Sequence, residues 1–336
     1  MIRRIINAII TIIMLIVVIF ILIHVIAPNP LTLAKIYSGN PHPTYAQLIV
    51  IERKYGLNKP LYVQIINYIS NLFHGNLGMD PVYKVPVVNL LSKYIPRTLE
   101  ITIPATVLSV IIGLVTGAIG ASNRGKVLDY FVRGVYLVTW SSPTFLIATV
   151  LQLGVAYYLK LLPPYGIVNP ALTSPSRITG FPLIDSAIAG DWVYFVSVLR
   201  HMILPVTSLA VANFGIVTRL SRSSMLVHMN SDYAKLSLVK GLSRRRVVYG
   251  VVLRNASIPI VTLIALLFGS SIAGSVAVED IFQYHGMGWF ITNSLLNLDY
   301  VGILSTTVIV AVFIIVANLV ADILYSVLDP RVRVGG

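Results

Sequence analysis

The chain has 336 residues, of which 56% are hydrophobic and only 11% charged, with a net charge of +13 and no cysteine. A soluble domain carries roughly 25% charged residues, so this composition excludes an ordinary water-soluble enzyme and makes lipid the main solvent for much of the surface. The basic residues fall largely in loops between apolar stretches rather than on one polar module, so no nucleic-acid partner is expected, and the missing cysteines exclude disulfides and thiolate metal sites within the chain.

Residues 1–27 are expected to form a first transmembrane helix. Positions 5–27 are almost unbroken hydrocarbon behind Arg3 and Arg4. A signal peptide has an apolar region of about 7–15 residues and a small-residue cleavage site. This stretch instead reaches the ~20 residues that cross a bilayer and runs into Ala-Pro-Asn-Pro, so it reads as a retained span. His24 near its end reads as a packed histidine rather than a ligand. Residues 28–98 differ in kind. They are polar and punctuated by Pro30, Pro41, Pro43, Pro60, Pro81, Pro86 and Pro96, with amphipathic stretches at 45–55 and 62–73. The prolines and the run NLFHGNLGMD predict turns between short helices, hence an extracellular subdomain on the side opposite Arg3 and Arg4. His74 and Asp80 are scattered single polar residues there and define no site.

Residues 99–328 hold five further apolar stretches, predicted at 99–121, 131–159, 202–217, 258–278 and 301–328, each near the ~20-residue spanning length. Pro104 lies near the start of the second span. Pro143 is expected to kink the third and Pro205 the fourth, which neighbours in a bundle can accommodate. Gly113, Gly117 and Gly120 permit close helix contact. With six spans, one side holds Arg3, Arg4, Arg124, Lys126, Arg133, the basic residues from Arg219 to Arg254, then Arg331 and Arg333. The opposite loop 279–300 holds none. By the positive-inside rule both termini, including the tail 329–336, are cytoplasmic. Tyr157, Tyr158, Trp192, Tyr194, Trp289 and Tyr325 suit interfacial anchoring.

No catalytic, cofactor or metal set emerges. His24, His42, His74, His201, His228 and His285 are dispersed, and no GxxxxGK[ST] loop is present to cradle a nucleotide. Polar groups in the spans are sparse: Glu100 at a border, Asn213 and Asn318 within, and Asp322 near the inner end of the last span. Asp322 reads as a partner for a neighbouring arginine rather than as an ion relay. A membrane-bound enzyme or a channel would need clustered intramembrane acids or histidines, or a pore-lining repeat, and the spans carry neither.

The polar island in residues 219–257 is different. DYAKLSLVKGLSRRRVVYGVVLRNASIP sets Lys235, Lys240, Arg244, Arg245, Arg246 and Arg254 against the single acid Asp232. Gly241 suits a helix C-terminus and Ser243 the cap of the next helix, so the stretch reads as helix, sharp turn, helix. A basic loop against anionic headgroups explains the charge. It does not explain the ordered apolar positions, the glycine turn and the exit Leu253-Arg254-Asn255-Ala256 to Pro259.

These residues resemble the cytoplasmic loop of permease subunits of binding-protein-dependent ABC importers, in the dipeptide/oligopeptide branch. The match runs through Asp232, Tyr233, Lys240, Gly241, Leu242, Leu253, Arg254, Asn255, Ala256 and Pro259. It departs at Ser237, where the branch usually has alanine, and at Lys235, where the wider family begins its motif with glutamate. The stretches Asn58-Lys59-Pro60-Leu61, Gly75-Asn76-Leu77-Gly78, Ile95-Pro96-Arg97-Thr98-Leu99-Glu100, Leu199-Arg200-His201-Met202-Ile203-Leu204-Pro205, Gly274-Ser275-Val276, Gly286-Met287-Gly288, Asp299-Tyr300 and Leu328-Asp329-Pro330-Arg331 extend it over nearly the whole chain. The resemblance implies an all-α integral membrane protein of six transmembrane helices with the type I ABC importer permease fold. It also implies a non-catalytic subunit partnered by a second homologous permease, two ABC ATPase subunits, an extracellular solute-binding protein and the lipid bilayer. ATP and Mg2+ would sit in the ATPase subunits and no cofactor in this chain. Coupling to the ATPase would run through Asp232, Tyr233, Lys235, Leu236, Leu238, Val239, Lys240, Gly241, Leu242, Ser243, Arg244, Arg245 and Arg246. The implied cargo is di- or oligopeptides, with oligosaccharides as the alternative on the same architecture, and no path-lining residue is assigned.

Overall fold

The computed structural model describes residues 2–27, 29–40 and 42–328; of residues 2–5, 8, 262, 265 and 321–328 only the backbone is described. Arg3, Arg4, Asp322, Tyr325, Leu328, Asp329, Pro330, Arg331 and Arg333, all singled out in the sequence, therefore lie outside the described side chains. Fifteen helices follow in order. They are α1 (Ile2–Ile26), α2 (Pro30–Ser38), α3 (Tyr45–Tyr55), α4 (Leu61–Phe73), α5 (Val87–Ser122), α6 (Val127–Ser141), α7 (Thr144–Leu151), α8 (Pro182–Ile188), α9 (Trp192–Met229), α10 (Asp232–Val239), α11 (Arg244–Arg246), α12 (Leu253–Ala256), α13 (Ile258–Ile281), α14 (Met287–Leu296) and α15 (Tyr300–Leu328). Wide-turn π segments extend α7 (Gln152–Tyr158) and join α11 to α12 (Val247–Val252). Among the described residues the only strand pairing is an isolated bridge, Met79 to Pro86.

The chain divides into two compact units. The first comprises residues 1–98 and 285–315. Its short helices start and stop where local chemistry requires. The Asn29 side chain accepts the Leu31 N–H with Pro30 at the first turn of α2, and Thr44 and Gln47 form a reciprocal capping box on α3. Gly39 and Gly56 end those helices at φ 58° and 63°, a conformation that costs glycine little. Ile23 and Ala27 gather with Leu33, Ala34, Leu57 and Tyr300 into one core, and Ile16, Phe20, Leu304 and Val308 gather the inner face of α4 into another. The helices at 45–55 and 62–73 fall where their amphipathic pattern places them, with α4 beginning one residue earlier.

The second unit comprises residues 99–284 and 316–336. Its axis is α9, 38 residues long, or about 57 Å at about 1.5 Å per residue, nearly twice the ~30 Å hydrocarbon thickness. The apolar stretch 202–217 is thus the middle of a much longer helix. Arg200, His201, Arg219 and Arg222 are helical too, because packing continues past the apolar window. Likewise α5 starts at Val87 rather than Leu99 and runs through Pro96 and Pro104. Pro96, read as a turn residue, lies within a helix. The third predicted span is not one kinked helix: α6 and the α7 arm, Thr144–Tyr158, meet at 105° across Ser142 and Pro143. Proline has no N–H and disfavours helical conformation in the residue before it.

Close approach in this unit depends on small residues. A Cβ added at Gly113 would strike Val217, and one at Gly117 would strike Ser221. Between them Thr116 Oγ1 and Thr218 Oγ1 share a hydrogen bond of 2.8 Å. Among the described residues four helices are long and apolar enough to cross a membrane, α1, α5, α9 and α15, and the bent pair α6–α7 makes a fifth if its two arms count as one span. The stretch expected as the fifth span forms α13, 24 residues long. Tyr157, Tyr158 and Trp192 are exposed at helix ends as interfacial residues should be, but Tyr194 is buried in the core around Val198 and Tyr284. Glu100 is a structural acid: it accepts the Leu183 N–H at 2.7 Å and the Tyr284 hydroxyl at 2.9 Å.

Candidate functional site

The island from Asp232 to Pro259 folds as a small platform on the ends of α5 and α9. Ala234 of α10 and Val247, Val248, Val252 and Ala256 beyond the turn are buried together with Ala118 and Ala121 of α5 and Met225 of α9, and Leu242 packs at the edge. These alanines are what let α10 lie close to two helix ends. The turn is built as its residues require. Lys240, Gly241 and Leu242 donate their N–H groups back to the carbonyls of Leu236, Leu238 and Ser237, closing the end of α10. Gly241 sits at φ 83° with open space around its α-carbon, so glycine is needed there for backbone conformation and not for room. Ser243 Oγ accepts the Arg246 N–H at 3.4 Å, starting α11. Tyr233 Oη and His228 Nδ1 meet at 2.7 Å, holding α10 to the end of α9.

Three apolar side chains of α10 stand outside that core. Leu236, Leu238 and Val239 are 54%, 47% and 83% exposed. Fully burying each such side chain is worth roughly 1.5–3 kcal/mol. Exposed together on this platform, the three leave that burial unused. Lys240, Arg244, Arg245 and Arg246 are exposed around it, the arrangement of apolar centre and charged rim that protein interfaces use. Asp232 and Lys235 approach to 3.7 Å with both side chains largely in solvent, a pair worth little in stability. The structure brings all thirteen residues picked from the sequence into this one platform. It separates them into anchors (Leu242, with Ala234 beneath), turn formers (Gly241, Ser243) and an outward face.

One functional group went unread. Asp129, fully buried near the start of α6, receives Arg222 of α9 in a two-pronged ion pair, Nε to Oδ1 at 2.7 Å and Nη2 to Oδ2 at 2.8 Å. Arg133 Nη2 stands 3.7 Å from Oδ2, and the Gly125 N–H donates to the same oxygen at 3.0 Å. This clamp fixes α6 against α9, about two turns before α9 hands over to the platform. Its one sequence signal was a lone acid amid inner-side arginines.

A helical, multi-pass membrane protein whose helix-turn-helix island packs on α5 and α9 is the class these features define. The chain belongs to the family of binding-protein-dependent transport system inner membrane components, whose pattern it matches over residues 109–334, and residues 1–102 match the N-terminal region of such membrane components. It is 34% identical over 316 residues to the dipeptide transport system permease protein DppB of Escherichia coli strain K12, covering 93% of this chain and 91% of that protein. It is 35% identical over 278 residues to the di/tripeptide transport system permease protein DppB of Pseudomonas aeruginosa (83% and 82% covered). It is 32% identical over 306 residues to the oligopeptide transport system permease protein AppB of Bacillus subtilis (91% and 90% covered).

Proposed function

We propose that this chain is the permease subunit of an ATP-driven, solute-binding-protein-dependent importer of di- or oligopeptides. It pairs with a second homologous permease, receives solute from an extracellular binding protein, and docks two ATPase subunits that hold ATP and Mg2+. In this reading α1, α5, the α6–α7 pair, α9, α13 and α15 are the six spans, both termini are cytoplasmic, and residues 28–98 lie on the outer side. Three relatives whose names specify peptides, each aligned over most of its length, support the cargo.

The observation that carries the coupling role is the exposed apolar face of α10 on a platform rooted in α5 and α9. Seated in a groove of the ATPase, Leu236, Leu238 and Val239 transmit its movement into Ala234 and thence into two spans. ATP binding favours the closed ATPase dimer, so the energy for switching the path from inward-open to outward-open is the difference in ATP affinity between the two states. The Asp129–Arg222 clamp makes α6 follow α9 as one body.

Gly241→Val tests this. Any L-residue at φ 83° pays about 1–2 kcal/mol in backbone strain, which misdirects α10 without touching the buried anchors. In the reconstituted complex, hydrolysis stimulated by loaded binding protein is expected to fall at least tenfold while membrane insertion is unchanged. Normal stimulation and uptake would remove α10 from the coupling role. For the cargo, titrating the partner binding protein with dipeptides, longer peptides and oligosaccharides decides the class. Saturable binding of oligosaccharides alone would overturn the peptide reading.

A further inference from the structure

Helix α4 has three faces. Leu61, Ile65, Tyr68, Ile69 and Leu72 pack against Ile16 and Phe20 of α1 and Leu304 and Val308 of α15, with the Phe20 and Tyr68 rings edge to face at 5.4 Å. Beside that packed face, Tyr62, Ile66 and Phe73 form an apolar stripe that is 65%, 61% and 77% exposed. The remaining arc is polar and exposed: Asn67, Ser70, Asn71 and His74. Asn67, Ser70 and Asn71 line a cleft of about 280 Å³ together with Arg53, Lys54 and Lys59.

The residues under the packed face tell where the helix lies. Ile16 and Phe20 belong to the apolar window Ile9–Ile26, and Leu304 and Val308 to the window Tyr300–Val320. At about 1.5 Å per residue they lie on the order of 6–15 Å inside the ends of those windows. One face of α4 packs with α1 between Ile12 and Phe20 and with Leu304 and Val308 of α15, so it crosses from one span to the other. A helix lying in the membrane plane is buried about 5–10 Å into the boundary between headgroups and acyl chains, with aromatic and aliphatic residues below and lysine and arginine above. Depth, crossing, exposed stripe and adjoining cations all agree with that placement.

We propose that α4 is an in-plane interfacial helix whose Tyr62–Ile66–Phe73 stripe sits among lipid acyl chains, with Arg53, Lys54 and Lys59 at the level of the phosphates. Residues 28–98 are then anchored in the leaflet beside α1 rather than held clear of it. The occupant is lipid because the same helix packs on Ile16, Phe20, Leu304 and Val308, inside the apolar windows of two helices long enough to span, and one of those helices, α1, also leaves Val18, Ile21, Leu22 and Val25 exposed.

The chain has no cysteine, so single cysteines at Ile66, Phe73, Asn67 and Asn71 can each carry a nitroxide in the full transporter, assembled with cysteine-free partner subunits. The complex is placed in nanodiscs of phosphatidylethanolamine and phosphatidylglycerol, and retained uptake verifies the fold of each variant. Labels at 66 and 73 are expected to be relaxed by oxygen in preference to a water-soluble nickel chelate, and labels at 67 and 71 by the chelate. If 66 and 73 favour the chelate, the subdomain stands in water and the proposal fails. If both are shielded from both reagents, protein covers the stripe, a second permease being the obvious occupant, and the proposal fails equally.

Discussion

Asp299 is an acid held far from its ordinary state. It lies just before α15, almost wholly buried, accepting the Gly302 N–H at 2.9 Å and the Ser294 hydroxyl at 3.2 Å. A Cβ on Gly302 would occupy the space of this carboxyl. Burial pushes the Asp299 carboxyl up to about 7; the Gly302 N–H pulls the other way, and the Asp80 carboxyl beside it adds to the rise. An acid raised on folding contributes stability that is fully present below about pH 4 and is lost as pH rises through about 7. Thermal unfolding of the purified protein is therefore expected to show a midpoint that falls from pH 5 to pH 8, less steeply in Asp299→Asn. An equal slope in both would remove this residue as the source.

At the scale of elements, what distinguishes this fold is how helices are held to one another. The seam of α5 with α9 relies on glycines and hydroxyls, whereas α6 with α9 adds the ion pair of Asp129 with Arg222 to a close approach at Gly215. Removing one partner of a buried ion pair costs roughly 3–5 kcal/mol, while replacing both with apolar residues is often neutral. Asp129→Ala should thus lower the midpoint of heat denaturation markedly, and Asp129→Leu with Arg222→Met should recover most of the loss. If the double variant is as unstable as the single, the clamp's role is packing and not charge. Hydroxyls and amides also join spans: Asn213 Nδ2 donates to Ser271 Oγ at 3.1 Å, and Thr106 Oγ1 reaches the same oxygen at 3.3 Å.

At the scale of the whole molecule, the basic side of the chain is divided between two tasks. Arg222 is spent internally on Asp129, while Arg244, Arg245 and Arg246 point to solvent around the apolar face of α10. Rim charges govern encounter rate and salt dependence more than the strength of the final contact. Reversing all three to glutamate is expected to slow association with the ATPase subunits roughly tenfold or more at low salt, with the difference shrinking as ionic strength rises. Stopped-flow association over a salt series reads this directly. Rates that match the unaltered protein throughout would assign the cluster to the lipid surface instead.

Much was settled by the sequence alone, and for a physical reason. Hydrocarbon runs of spanning length, capping residues at 44 and 47, and a glycine between two helical patterns act over a few residues, so local chemistry determines α1, α3, α4, α15 and the turn at Gly241. The helix, turn and helix of the island opening at Asp232 were legible for the same reason. What tertiary structure decided depends on neighbours distant in the chain. Packing carried α9 well past its apolar window and took α5 through Pro96, where hydropathy alone stops short. Burial separated Ala234, an anchor, from Leu236, Leu238 and Val239, which stay exposed, though all four share one short helix. Asp129 gained its meaning only when α6 and α9 came together, because a lone acid has no partner until the fold supplies one.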